Sequence, residues 1–251
     1  MLKSTDHIAS FAKGLRVITC FGASTPRLSI AEVAAATGYD RATARRCLLT
    51  LHAEGYASYD GKYFALTPQA LRLGMSALNA LPLPQRVQPW LDQVSEQIGQ
   101  SCSVAILDET EIVYIARAAQ RRVMSIGLMP GSRLPAHATS MGRVLLASLP
   151  EAEARALIAR ADLTPRTPKS LTDPDEIMDS VRAAHRNGYC LIDEEVETGL
   201  RAIAVPVLDG RGRTVAALNT GMAVTRAPAE SLIETYLPAL LKVQQNLKRI
   251  V

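Results

Sequence analysis

Apolar residues at Ile8, Phe11, Leu15 and Ile18 recur at helical spacing across residues 6–21. That spacing predicts a helix burying them as one stripe. A breaker stretch over 22–26 is followed by Ser29-Ile30-Ala31-Glu32, a capping box in which hydroxyl and carboxylate each satisfy a helix-start amide. The short helix it opens turns Ile30, Val33 and Ala34 inward and stops at Gly38. Asp40 then caps a second helix, Arg41 to about Glu54, with Ala44, Cys47, Leu48 and Leu51 on one face. Two β-prone runs, 56–59 and 62–66, meet at Asp60-Gly61, which predicts a hairpin with a two-residue turn. Thr67-Pro68 opens a helix running to about Asn79. Helix, tight turn, helix and hairpin in this order form a winged helix-turn-helix.

Beyond the stiff Leu81–Pro84 break and a helix from Gln85 to about Ile98, the pattern changes. Strands are expected over 103–107, 111–117 and 123–128, with 129–135 as a loop. Thr139–Ser148 reads as an apolar helix, and Pro150 starts another. Asp173-Pro174-Asp175-Glu176 opens a helix that ends at Gly188. Strands over 189–193, 201–208 and 214–220 precede a long amphipathic helix from about Pro228 to Arg249. Without regular βαβ alternation, this half is an α+β domain on a largely antiparallel sheet. The expected division is 1–78 as DNA-binding domain with its linker helix and 79–251 as the second domain.

Charge separates the same two halves. Residues 1–78 carry nine Lys/Arg against five acids, a net +4 that is the whole formal charge of the chain, whereas 79–251 hold nineteen of each sign. A basic excess confined to the small segment suits contact with a polyanion there. On the second helix Ala42, Arg45 and Arg46 face away from the apolar side, placed to reach guanine edges or phosphates. The same arginines also fit a solvated face on an ordinary helical hairpin. Candidate contacts to double-stranded DNA are Ser29, Arg41, Thr43, Arg45, Arg46 and, at the hairpin tip, Lys62.

The remaining chemistry is sparse. Cys20, Cys47, Cys102 and Cys190 are scattered through apolar stretches, as reduced buried thiols are. The four histidines show no metal-ligand spacing, and neither a nucleophile elbow nor a phosphate-binding glycine loop occurs. Asp193, Glu194, Glu195 and Glu197 form an acidic cluster, read as a solvated loop rather than a divalent-metal site. No cofactor is expected. With 48% hydrophobic residues and no membrane-length apolar run, the chain is expected to be globular and cytoplasmic.

Three stretches go further. Residues 40–74 (DRATARRCLLTLHAEGYASYDGKYFALTPQALRLG), 111–147 (EIVYIARAAQRRVMSIGLMPGSRLPAHATSMGRVLLA) and 188–208 (GYCLIDEEVETGLRAIAVPVL) closely resemble the isocitrate-lyase-regulator (IclR) family of transcription factors. The wording of 121–147 is most similar to the branch that controls aromatic catabolism, whose members respond to protocatechuate, 4-hydroxybenzoate or β-ketoadipate. The resemblance implies a GAF-like effector domain, homodimers or homotetramers, and a small organic acid, aromatic by the branch, as effector. Carried over, the effector pocket comprises Leu134, Ser140, Met141, Ile192, Asp193, Leu200, Ala202, Asn219 and Gly221. Free amides at the start of the Ser140 helix would suit a carboxylate. Arg117, Arg133 and Arg143 are alternative carboxylate partners, and His137, where the branch carries Tyr, is another polar candidate. A constitutive DNA-binding scaffold, or an enzyme with a DNA-binding appendage, are the alternative readings.

Overall fold

A computed structural model describes residues 6–22, 25–120, 127–224 and 228–250. The chain divides into two compact units, 1–80 and 81–251.

In the first unit, α1 (Ala9–Ile18), α2 (Ile30–Thr37) and α3 (Arg41–Ala53) enclose a small core of Val17, Leu28, Val33, Ala44, Leu48, Leu51, Ala57 and Phe64. The α2 cap forms as the sequence requires. Ser29 and Glu32 exchange both bonds of the capping box, and Gly38 ends the helix in the left-handed conformation at φ 72°. The hairpin pairs β1 (Ala57–Tyr59) with β2 (Phe64–Leu66) and is followed by α4 (Pro68–Ala80). Its turn is longer than expected, because Tyr59 pairs with Phe64 and leaves 60–63 as a four-residue loop. The Asp60 carboxylate accepts from the Lys62 and Tyr63 amides, closing that loop from inside with Lys62 in the turn rather than in a strand. The α1 stripe is a clear correction. Ile8, Phe11 and Leu15 are 68%, 66% and 47% exposed, and it is Val17, on the side facing α3, that enters the core.

The second unit is built on a six-stranded sheet ordered β5-β4-β3-β8-β7-β6, with every neighbouring pair antiparallel. Its strands are β3 (Ser101–Asp108), β4 (Glu111–Ala118), β5 (Arg133–Pro135), β6 (Cys190–Asp193), β7 (Leu200–Leu208) and β8 (Thr214–Ala223). The helices α5 (Pro82–Ile98) and α9 (Ser231–Leu247) pack on each other and on β3, β4 and β7. Against the other face lies α6 (Ser140–Leu146), entered through a single turn of tight helix at Ala136–Ala138 and backed by α7 (Glu151–Arg160) and α8 (Pro174–Asn187).

Several boundaries differ from expectation for local reasons. Leu81 alone separates α4 from α5; Pro82 takes the N1 position, where its missing N–H is not needed. Pro150 caps α7 from outside rather than starting it. The edge strand β5 lies within the presumed loop 129–135. The strand expected over 123–128 falls mostly on 121–126, outside the described residues. Among the described residues no helix is long and apolar enough to cross a membrane.

Candidate functional site

On the first unit, α3 presents Arg41, Arg45 and Arg46 exposed, while Ala44, Leu48 and Leu51 hold its other side in the core. Two of the candidate contacts are already engaged locally. Thr43 closes the α3 cap, its amide and hydroxyl both donating to the Asp40 carboxylate at 2.8 and 2.7 Å. Ser29 donates its amide and hydroxyl to Glu32 at 2.7 and 2.6 Å. Lys62 stands at the hairpin tip with Nζ 5.0 Å from the centre of the Tyr63 ring. An apolar groove of about 690 Å³ runs between α1, α3 and α4, bordered by Phe11, Leu15, Ile18, Cys47 and Leu73, with Thr43 and Arg46 at its rim.

In the second unit a cavity lies between α6 and the sheet. Of the residues carried over, Leu134, Ser140, Ile192, Leu200, Ala202, Asn219 and Gly221 line it, joined by Ser101, Tyr114, Arg117, Leu128, Thr139 and Val196. Met141 does not; it is fully buried in the core behind the cavity wall. Asp193 does not line it either. Lys169 holds its carboxylate at 2.7 Å and Arg201 at 2.5 Å. Partial burial opposes its charge, but these two cations keep its carboxyl below the ordinary range.

Tyr114 and Arg117 share the cavity although they are three residues apart on one strand, where alternation would put them on opposite faces. A β-bulge explains this. Opposite the step Val104–Ala105 the partner register jumps from Ala116 to Tyr114, so Ile115 is an extra residue and the facing parity of β4 inverts there. Register also places Arg117 and Asn219 on either side of Ser103, making one polar row across β4, β3 and β8. Arg117 donates to Ser103 Oγ at 2.9 Å, and no carboxylate pairs with it among the described residues. Ser140 Oγ is buried and has no hydrogen-bond partner among them. Burial pushes the Tyr114 phenol up to about 12, opposed by the Arg117 charge, so the hydroxyl keeps its proton at neutral pH.

The other two arginines are committed elsewhere. Arg133 pairs with Asp108 and Glu111 at 2.8 and 2.6 Å on the exposed sheet edge. Arg143, fully buried in α6, gives its Nη atoms to the two oxygens of Glu195 and its Nε to the His137 carbonyl at 2.8 Å. The acidic cluster is therefore no solvated loop: Asp193 and Glu194 are bridged by Lys169, and Glu195 is buried against Arg143. Among the described residues no group of His, Cys, Asp and Glu could hold a metal ion.

His137 lies outside the cavity, beside the arginine that binds its carbonyl. Burial first, and the Arg143 charge second, lower its pKa, so the ring is neutral rather than an anion partner. The amides at the start of α6 are not all free either, because Thr139 Oγ1 accepts from Gly142 N at 3.0 Å. Gly142 is required where it stands: a Cβ there would meet the Ala136 carbonyl oxygen at 2.1 Å. Glycine thus lets α6 close on the turn that leads into the cavity wall.

The model for the IclR helix-turn-helix domain matches residues 10–61, and that for the bacterial transcriptional regulator IclR C-terminal domain matches 75–249. The chain belongs to the IclR family. As an IclR regulator it carries the helix-turn-helix that binds DNA, and its fold pairs that module with an effector-type α+β domain. The Pca regulon regulatory protein of Pseudomonas putida is 41% identical over 96% of this chain and 84% of its own length. The p-hydroxybenzoate hydroxylase transcriptional activator of Acinetobacter baylyi is 39% identical over all of this chain and 94% of its own. Among solved structures, a double mutant of the PobR inducer-binding domain from Acinetobacter, in complex with 3-hydroxybenzoic acid, is 38% identical. It covers 68% of this IclR chain and all of its own, with a TM-score of 0.64.

Proposed function

We propose that this regulator controls genes of aromatic catabolism from the cytoplasm, and that an aromatic carboxylate bound in the α6 cavity sets its affinity for promoter DNA. The observation that carries the reading is Arg117. It is a cation turned into a mostly apolar cavity by a β-bulge, beside Ser103, with no acidic partner among the described residues. Such a partly buried guanidinium has lost some of its hydration and gained no anion among the described residues, and a ligand carboxylate would supply one through charge-assisted hydrogen bonds. Leu134, Ile192, Val196 and Leu200 provide apolar walls for a ring, and Tyr114, Ser140 and Asn219 provide polar partners for ring substituents. The two relatives named for the pca regulon and for p-hydroxybenzoate hydroxylase support the same ligand class.

DNA is read by α3 through Arg41, Arg45 and Arg46, with the wing beside it; Ser29 and Thr43 act first by fixing the helix starts that present those arginines. Regulation requires the effector to bind two arrangements of the assembly unequally. We take that assembly to be a homodimer or a pair of homodimers. The exposed stripe Ile8, Phe11 and Leu15, continuous with the groove along α1, is apolar surface that a second copy would cover.

The test is calorimetric titration of the full chain with 4-hydroxybenzoate, protocatechuate and benzamide. The two acids should bind and the uncharged amide should not; Arg117→Met should abolish binding while leaving thermal unfolding nearly unchanged. Binding of acids by Arg117→Met at wild-type affinity would refute the assignment.

A further inference from the structure

The wing tip carries an arrangement that the helix-turn-helix pattern does not require. Leu28 and Phe64 exchange backbone hydrogen bonds at 3.0 and 2.8 Å, adding the segment before α2 to the hairpin as a third short strand. Leu28 and Phe64 are both buried, so alternation turns Arg27 and Tyr63 to the other face, where they are diagonal neighbours across the antiparallel pair, within reach of a long side chain and an aromatic one. The Arg27 guanidinium sits 5.2 Å from the centre of the Tyr63 ring and Lys62 Nζ 5.0 Å from it, so a single aromatic ring supports two cations. Asp60 braces the turn and meets the Arg27 guanidinium. One carboxylate oxygen accepts the Lys62 and Tyr63 amides, and the other pairs with Arg27. Glu32, which also feels the Lys62 charge, accepts from the Ser29 amide and hydroxyl.

From this geometry we infer that Arg27 and Lys62, stacked on Tyr63, form a clamp for the phosphodiester backbone of duplex DNA, and that Asp60 occupies the phosphate position until DNA takes it. The inference rests on the reading of this unit as a DNA-binding module. Both partners of the Arg27–Asp60 pair are about half exposed, at 57% and 46%, and an exposed pair contributes little stability, so exchanging the carboxylate for a phosphate costs little. The ring holds both cations within about 5 Å of its centre, which suits contact with one phosphate or two adjacent ones and carries no base information. The wing therefore contributes affinity and register, while α3 contributes sequence choice.

Salt dependence measures this directly, because each phosphate contact releases counterions. The full chain is titrated with a fluorescently labelled mixed-sequence duplex by anisotropy over a series of potassium chloride concentrations. Arg27→Ala and Lys62→Ala should each weaken binding and flatten the log–log salt slope by about 1, and Arg27→Lys should restore the slope. Asp60→Asn keeps an oxygen for the turn amides but removes the charge, so it should tighten binding several-fold, a gain abolished by adding Arg27→Ala. An Arg27→Ala slope equal to that of the wild type overturns the clamp, as does an Asp60→Asn chain that binds as weakly as Arg27→Ala. A wild-type chain that binds no duplex at all overturns the DNA-binding reading itself, a different result from either. Thermal unfolding of each variant separates loss of contact from loss of the wing.

Discussion

Glu195→Ala isolates a buried charge. In the wild type Arg143 is 2% exposed and spends its donors on three acceptors, the two oxygens of Glu195 and the His137 carbonyl. Truncating Glu195 removes two of these and leaves a cation that cannot shed its charge, since a guanidinium stays protonated in any protein environment. Breaking a buried pair from one side costs about 3–5 kcal/mol, which for a unit of this size lowers the melting temperature by roughly 6–20 °C. Replacing both partners together, Arg143→Met with Glu195→Leu, removes the orphaned charge as well as the pair and should recover most of that loss. The assay is thermal unfolding of the full chain, single variants against the double, followed by circular dichroism. If Glu195→Ala melts within the ~0.5 kcal/mol typical of a surface change, or the double variant is as unstable as the worse single one, the pair is not the anchor described here.

Two further outcomes follow from the same region. Gly142→Ala places a methyl group against the Ala136 carbonyl, where backbone must move, and should cost about 3 kcal/mol or more, read by urea unfolding. His137 has a pKa below its ordinary 6.5, so the unfolded chain binds its proton more readily than the folded one. Its contribution to stability is complete above 6.5 and is lost as pH falls below that value; His137→Gln should flatten the melting-temperature profile there, and an unchanged profile would refute it.

Local chemistry was the most legible part of the sequence. The Ser29–Glu32 box, the Asp40 and Asp173 caps and the terminating Gly38 and Gly188 are each written within four residues, and each forms in place. Long-range consequences were less visible. The α1 stripe has correct helical periodicity, but periodicity does not say whether its own chain or another covers it, and Val17 took the core position. The bulge at Ile115 has no sequence mark, since an extra β-branched residue looks like any strand residue. Arg117 therefore stood level with Arg133 and Arg143 until the geometry distinguished them. Met141 was carried over on its helix position, but one residue along a helix is a turn of 100°, enough to move a side chain from cavity wall to core. The pairing of Arg143 with Glu195 joins a lone charge on an apolar helix to one acid of what reads locally as a solvated loop.

The cavity itself encloses only about 40 Å³, far below the 300 Å³ or so of a small-molecule site. A benzoate bound there, as proposed, must find the wall already displaced or displace it, and either way the opening free energy is subtracted once from the sum of its contacts. The concentration at which genes respond is then set jointly by contact chemistry and by how often the wall yields; each 1.4 kcal/mol of opening raises that threshold about tenfold. Substitutions that never meet the effector, such as those at Lys169, which ties down Asp193 and Glu194, become tuning points for dose. A regulator of this kind can be made more or less sensitive while its preference among acids stays the same.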